Sequence, residues 1–359
     1  MNNEICISII VPVYNSQKYI LSTLENLKKL EFKNQFEIIL IDDGSSDRTL
    51  EIIDNFKLER LTVLKLQSNF GPSTARNLGL KHAKGEYIYF MDADDSIENN
   101  TLSLLFNESL NKKFDIIFSD KKRIEKNINQ RENNFAFNEN KSFDKDQIKN
   151  EMLDRLKNPL YLTGLMDLTG RLIKRSIIFD NKIKFREELR YMEDETFMWD
   201  LLSYVKSAFY VREQLYTYNI NPNMNTGLSE GLLKGFPLKN FSIIKNQIKT
   251  SFTRIGLKNI EIEKLSDQAF IFFVISSLIS FYRSIVLGKV NKLEATEKFS
   301  KYINEINNCH EISSSIKNYN ISKDESFLIP YSIKLKINFL LKIAVKLRVF
   351  NILKKRRKS

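Results

Sequence analysis

The sequence predicts an α/β protein, a sheet covered by helices on both faces and followed by an α-helical C-terminal region. Three observations carry that expectation. Across the first 120 residues, short apolar runs rich in β-branched side chains alternate with amphipathic stretches of helical period. Acidic clusters stand directly after two of those runs. From about residue 232 onward the apolar spacing is helical throughout.

Taken in order, Ile5–Val11 is the first strand, with Pro12 expected to end it. Over Lys18–Lys29, Ile20, Leu21, Leu24 and Leu27 recur at helical spacing. Phe36–Ile41 is the second strand, stopped by Asp42-Asp43-Gly44-Ser45-Ser46-Asp47. A helix over 47–57, a strand over 61–66, a helix over 73–83, a strand over 86–91, a helix over 99–111 and a strand over 114–118 continue the series. Residues 119–147 turn polar and read as an excursion with a strand pair near Phe135–Phe137. A helix resumes over 146–157, and 160–220 is mixed. Further helices are expected over 238–254, 261–287, 290–306 and 331–354, with a boundary near 225–235.

The chain has 359 residues, 42% apolar and 28% charged, a composition that excludes wholesale disorder. Its two cysteines, Cys6 and Cys309, lie near no other candidate ligand, so neither a disulfide framework nor a zinc site is expected. Met1–Glu4 carries no basic leader of the secretory kind. The longest charge-free apolar run, Gln268–Tyr282, has 15 residues and is expected to be a core helix, because a bilayer needs about 20. The net charge of +12 is uneven: from Ser326 onward there are ten Lys or Arg and no acid, which leaves 46 basic against 44 acidic residues before it. A groove for nucleic acid is therefore not expected, since the excess is confined to the tail and no basic patch interleaved with aromatics is visible.

In an α/β sheet of this kind, ligands bind outside the carboxyl ends of the strands. Gly44, Ser45, Ser46 and Asp47 read as a turn, with Ser46 or Asp47 capping the next helix. The adjacent acids Asp42 and Asp43 need a further use, because they repel. In Met91-Asp92-Ala93-Asp94-Asp95, three carboxylates within four residues repel unless a cation intervenes. Their oxygens suit Mn²⁺ or Mg²⁺ bridging to a substrate diphosphate. Asp95 has two readings, as a member of that cluster or as the cap of a following helix.

The runs Ile7-Ser8-Ile9-Ile10-Val11-Pro12-Val13-Tyr14-Asn15, Ile41-Asp42-Asp43-Gly44-Ser45-Ser46-Asp47, Gly71-Pro72-Ser73-Thr74-Ala75-Arg76-Asn77 and Asp92-Ala93-Asp94-Asp95 together resemble the family-2 glycosyltransferases of the GT-A fold. The resemblance covers about residues 5–220. It implies a GT-A-type nucleotide-binding mixed sheet flanked by helices over 1–230, with a nucleotide-binding half (1–118) and an acceptor half (119–230), before a helical region (231–359). By similarity, Pro12, Tyr14, Asn15 and Asp43 hold the base and ribose of a nucleotide-sugar. Arg76 and Ala93 belong to the same nucleotide-sugar site, Asp92 meets the ribose or the metal, and Asp94 binds the metal.

The same resemblance places a general base on Asp194, in Met192-Glu193-Asp194-Glu195. An attacking sugar hydroxyl must lose its proton, and one base opposite the leaving group implies inversion. Acids there would also suit a first helical turn for reasons of dipole alone. Two departures stand out. Where relatives grip the diphosphate with Arg, His or Ser, this chain has Asn219 and Asn221, with Tyr218, Asn225 and Thr226 nearby. His82 and His310 lie outside every motif, so no histidine metal ligand is expected. The Gln-x-x-Arg-Trp signature of processive synthases is missing, and Trp199 reads as core.

The expectation is a cytoplasmic, metal-dependent, inverting transferase that adds one sugar from a nucleotide-sugar, UDP-linked by preference. Its acceptor is a glycan or lipid-linked glycan in a capsule, lipopolysaccharide or wall-polymer pathway. The tail, ending Lys354-Lys355-Arg356-Arg357-Lys358, suits an anionic membrane surface on the cytoplasmic face; a basic helix packed on the body is the alternative. Two rival functions are a nucleotidyltransferase and a glycan-binding scaffold on an inactive transferase fold. No Gly-rich loop with Lys or Arg follows the first strand to cradle a triphosphate, which speaks against the former. Intact Asp92, Asp94 and Asp194 speak against the latter.

Overall fold

The computed structural model describes residues 4–125, 136–157, 164–189, 192–220, 235–321 and 326–356. Contacts divide the chain into two compact units, residues 1–152 with 162–222, and residues 153–161 with 223–359.

The first unit is built on a nine-stranded mixed sheet. Strands β1 (Ile7–Val13), β2 (Phe36–Asp42), β3 (Leu61–Lys65) and β4 (Tyr87–Phe90) form its parallel part, in the order β3-β2-β1-β4. Helices α1 (Ile20–Lys28), α2 (Thr49–Asn55) and α3 (Pro72–His82) connect them. Ile7, Ile9, Ile10, Val11, Ile38, Leu40, Tyr89 and Phe90 are all buried, as strands covered on both faces require. After β4 come β5 (Ser96–Ile97), α4 (Thr101–Asn111), β6 (Ile116–Glu125), β7 (Lys141–Asp144) and α5 (Lys145–Lys157). Then follow β8 (Arg171–Lys174), α6 (Arg175–Asp180), α7 (Glu193–Leu202) and β9 (Ser207–Ile220). β8 is inserted antiparallel between β4 and β6, and β9 pairs with β6, β5 and β7.

Three local expectations are corrected. Pro12 does not end β1 but lies inside it, opposite Ile41 of β2. The reason is edge geometry: Ile10 faces β4, where its carbonyl accepts from Met91, and Pro12 faces the same way, past the last β1–β4 pair at Ile10–Phe90. Its missing N–H therefore costs no ladder bond. The strand expected over 114–118 continues through the polar stretch to Glu125, with bulges at Ser119–Asp120–Lys121 against β9. The strand expected near Phe135–Phe137 forms instead at Lys141–Asp144; Phe137 packs its ring on Phe143 and Tyr210, and Phe135 lies outside the described residues.

The second unit is helical, with α8 (Leu238–Arg254), α9 (Asn259–Val286), α10 (Lys292–Asn308), α11 (His310–Ser315), α12 (Leu328–Leu335) and α13 (Asn338–Arg356). By length and composition α9 could cross a membrane, with a mean hydropathy of 1.9 over its most apolar window, but 56% of that window is buried. Inside the unit, buried Lys245 pairs with Asp267 at 2.8 Å, and Ser315 donates to the same carboxylate, tying α8, α9 and α11 together. The single helix expected over 331–354 is two. Lys336 takes a left-handed conformation with φ of 57°, its N–H donates to Ile333, and the N–H of Ile337 donates to Ser332. That bonding pattern closes α12 and restarts the chain in a new direction.

Candidate active site

β2, β1 and β4 are parallel neighbours, so the loops Asp42–Asp47, Tyr14–Gln17 and Asp92–Asp95 leave the sheet from adjacent carboxyl ends. The first two loops are laced together. Asn15 has φ of 45°, a conformation Asn tolerates, and its side-chain oxygen accepts the N–H of Ser46 at 2.8 Å. Its own N–H donates to Ser45 Oγ at 2.9 Å, and the N–H of Ser16 donates to Thr49 Oγ1 at 2.7 Å. Tyr14 stays half-exposed at the rim. Asp47 accepts from the N–H of Thr49 at 3.0 Å, the turn role expected of it, while the N-cap position of α2 falls to Arg48.

Buried Asp43 accepts from the backbone N–H groups of Phe70 (2.8 Å) and Gly71 (2.7 Å), fixing the chain where it enters α3. Gly44 allows that approach: its φ is 72°, and a Cβ would lie 2.6 Å from the backbone of Ser68.

α3 explains the run Gly71–Asn77. Ser73, Arg76 and Asn77 share one helix face and all reach the segment that leads to Asp194. Ser73 Oγ donates to the Leu189 carbonyl at 3.2 Å. Asn77 donates to the Phe185 carbonyl at 2.9 Å and accepts the Phe185 N–H at 2.9 Å. Arg76 donates from Nη1 to Glu193 at 2.8 Å and from Nη2 to Asp92 at 2.9 Å, with its guanidinium beside the Phe185 ring. Burial disfavours the Arg76 charge, but Asp92 and Glu193 outweigh it and raise the pKa. Arg76, expected at the nucleotide, thus lies in the interior and joins the acidic loop to α7. Nothing in the sequence pairs Arg76 with Glu193, because 117 residues separate them.

α7 opens after Met192, which is left-handed with φ of 63°. Glu193 is buried; burial and the neighbouring Asp194 raise its pKa against the opposing pull of Arg76. Asp194 is exposed, and one of its oxygens accepts the N–H of Glu195 at 2.8 Å. Glu195 accepts from Trp199 Nε1 at 3.2 Å, and Trp199 is core as expected. Arg190, Tyr191, Asn221, Asn225 and Thr226 lie outside the described residues.

The acidic loop is fastened from three sides. The Ala93 carbonyl accepts from Thr23 Oγ1 of α1 at 2.6 Å. Asn219 donates through its side chain to the Asp94 carbonyl at 2.8 Å and through its backbone to Asp95 at 3.0 Å. Tyr216 donates to Asp95 at 2.5 Å and accepts the Asp92 N–H at 3.2 Å. Asp95 is no helix cap, since β5 follows it and α4 starts only at Thr101. Burial pushes its pKa up to about 7 against the pull of Tyr216 and Asn219, with Asp92 and Asp94 adding to the rise. The Asp94 carboxyl is also raised, by burial and then by Asp92.

Among the described residues no group of three or more His, Cys, Asp or Glu converges as a metal cage. Asp92 and Asp94 offer two hard oxygen donors across one residue, and among the described residues Asp94 has no ion pair to offset the field of Asp92. That donor set fits Mg²⁺ or Mn²⁺ held by one or two carboxylates, with substrate phosphate and water completing the shell.

A parallel half-sheet with two laced loops, an acidic loop at a neighbouring strand end and an exposed carboxylate on a tethered helix fits a glycosyltransferase of the GT-A type. The profile of Glycosyl transferase family 2 matches residues 8–178. Glycosyltransferase GlyG of Streptococcus pneumoniae is 29% identical over 59% of this chain and 70% of its own length. The poly(ribitol-phosphate) beta-N-acetylglucosaminyltransferase TarS of Staphylococcus aureus is 45% identical over 26% of this chain, a match spanning only 17% of TarS. In fold, the crystal structure of TarS 1–349 in complex with UDP-GlcNAc covers 95% of this chain and 90% of its own, with a TM-score of 0.66 and 20% identity. The match to the family 2 profile takes in just under half of this chain.

Proposed function

We propose that this protein transfers a single sugar from a UDP-sugar to a glycan or lipid-linked glycan acceptor, with inversion and with a divalent cation. The product serves assembly of a bacterial capsule, lipopolysaccharide or wall polymer. The observation that carries the proposal is Arg76, whose two ion pairs link the acidic loop to the helix bearing Asp194. The names of the relatives support the donor and acceptor classes, TarS being an N-acetylglucosaminyltransferase solved with UDP-GlcNAc.

In this reading Pro12, Tyr14, Asn15 and Asp43 form the wall against which base and ribose rest, with Tyr14 offering an exposed ring. Ala93 and Asp92 border the ribose and diphosphate. Asp92 and Asp94 would hold Mn²⁺ or Mg²⁺, which when bound neutralises charge on the departing diphosphate. Asp194 takes the proton from the acceptor hydroxyl as that oxygen bonds to the anomeric carbon and the bond to the diphosphate breaks. Arg76 positions this machinery rather than touching substrate. The protein works in the cytoplasm, and its basic tail reaches an anionic membrane surface.

A panel of nucleotide sugars, screened for Mn²⁺-dependent hydrolysis, tests the reading. UDP release from one UDP-sugar is expected. Pyrophosphate release from a nucleoside triphosphate, or no turnover of any donor, would contradict it.

A further inference from the structure

The final helix, α13, has two apolar faces, and the fold covers only one. Leu341, Ala344, Val345 and Val349 are buried and form the packed seam. Phe339, Ile343, Leu347 and Phe350 are exposed, with Phe339 at 73% and Phe350 at 63%. At 100° per residue, their spacing places them in one stripe on the opposite side from that seam. Four large apolar side chains in a row on water are more than scattered surface exposure. Exposed Lys346 and Lys354 fall on the same side of the helix, and Lys342 stands at its border.

We propose that α13 lies flat on an anionic lipid surface, with Phe339, Ile343, Leu347 and Phe350 in the boundary between headgroups and acyl chains and the lysines among the phosphates. This rests on the peripheral-membrane part of the reading above and adds to it a wedge that inserts. The charge of the segment selects the partner. Ten basic residues and no acid follow Ser326, so two copies meeting through this face would bring like charges together, whereas anionic headgroups complement them. Long lysine side chains reach from an apolar stripe to a charged interface without strain.

The test is co-sedimentation of the full chain with vesicles of phosphatidylglycerol and phosphatidylethanolamine, at low and high salt. Purely electrostatic attachment is lost at high salt, while an inserted stripe leaves a salt-resistant bound fraction. The variant Phe339→Ser/Ile343→Ser/Phe350→Ser removes only exposed side chains; unchanged circular dichroism and UDP affinity will show that it folds. It is expected to lose the salt-resistant fraction and to partition on the order of tenfold more weakly. A variant that partitions like wild type overturns the wedge but leaves tail-driven attachment standing. No binding of wild type at low salt sinks both. A dimer that the variant dissolves and vesicles leave intact overturns the proposal in favour of a second copy.

Discussion

Replacing Arg76 with methionine removes a cation that two carboxylates share. The Arg76 side chain is 7% exposed, Glu193 is 10% and Asp92 is 35% exposed. Asp92 can recover hydration, so its share of the loss is below about 1 kcal/mol. Glu193 cannot. Stranding one member of a buried pair costs about 3–5 kcal/mol, and most of the destabilisation should come from there. Methionine keeps an unbranched apolar stem in place of arginine's, so the cost is mainly electrostatic rather than a cavity.

Two further measurements separate this origin from general damage. In Arg76→Met/Glu193→Gln the stranded charge is gone, and most of the lost stability should return, as a double-mutant cycle will show. The deficit of the single variant should also shrink in acid. Burial and Asp194 raise the Glu193 pKa in the folded state, and loss of Arg76 raises it further. A group raised on folding stabilises while protonated and loses that contribution as pH climbs through the folded pKa. Urea unfolding at acidic and at slightly alkaline pH reads both effects. A single variant within about 1 kcal/mol of wild type, or a double variant no more stable than the single, would refute the reasoning. A fall in UDP affinity at unchanged stability would instead return Arg76 to the nucleotide.

Asp94→Asn should abolish transfer and the Mn²⁺-dependent part of UDP binding while the fold survives, measured by calorimetric titration with and without metal. Tyr216→Phe leaves buried Asp95 without its hydroxyl donor and should cost about 1–3 kcal/mol in urea unfolding, with donor affinity weakened through the looser acidic loop. Because burial raises the Asp95 pKa to about 7 in the fold, metal-free protein should lose stability as pH rises from the ordinary carboxylate range toward 7 and level off above. Thermal melts across that range should show the slope in wild type and lack it in Asp95→Asn.

What the sequence revealed and what it hid divide along physical lines. β1, β2 and β4 are covered on both faces, so they read as unbroken apolar runs, and the acids at their ends stand out against them. β6 beyond Ser119 and β7 are polar, and nothing in their pattern separates strand from loop. Pro12 misled because the edge it faces is set by where β4 stops pairing, a fact of register. Lys336 gave no sign of the break between α12 and α13, since a left-handed lysine has no compositional signature. The motif Gly71–Asn77 was visible, but its partners Phe185, Leu189 and Glu193 are over a hundred residues away. Tyr216 and Asn219 escaped notice as the fasteners of Asp94 and Asp95 for the same reason.

The most direct measurement is the rate of sugar transfer by Asp194→Asn. Asparagine keeps the size of the side chain and can still accept from the Glu195 N–H, but it cannot take a proton. Transfer should fall by about 10²–10⁴-fold, the usual worth of a general base, with donor affinity nearly unchanged. Glu195→Gln is the appropriate control, since Glu193→Gln also disturbs the buried pair with Arg76. If Asp194 serves only the first turn of α7, asparagine will replace it at little cost in stability or rate. A collapse of transfer with intact donor binding is the predicted result; transfer near the wild-type rate would contradict the mechanism.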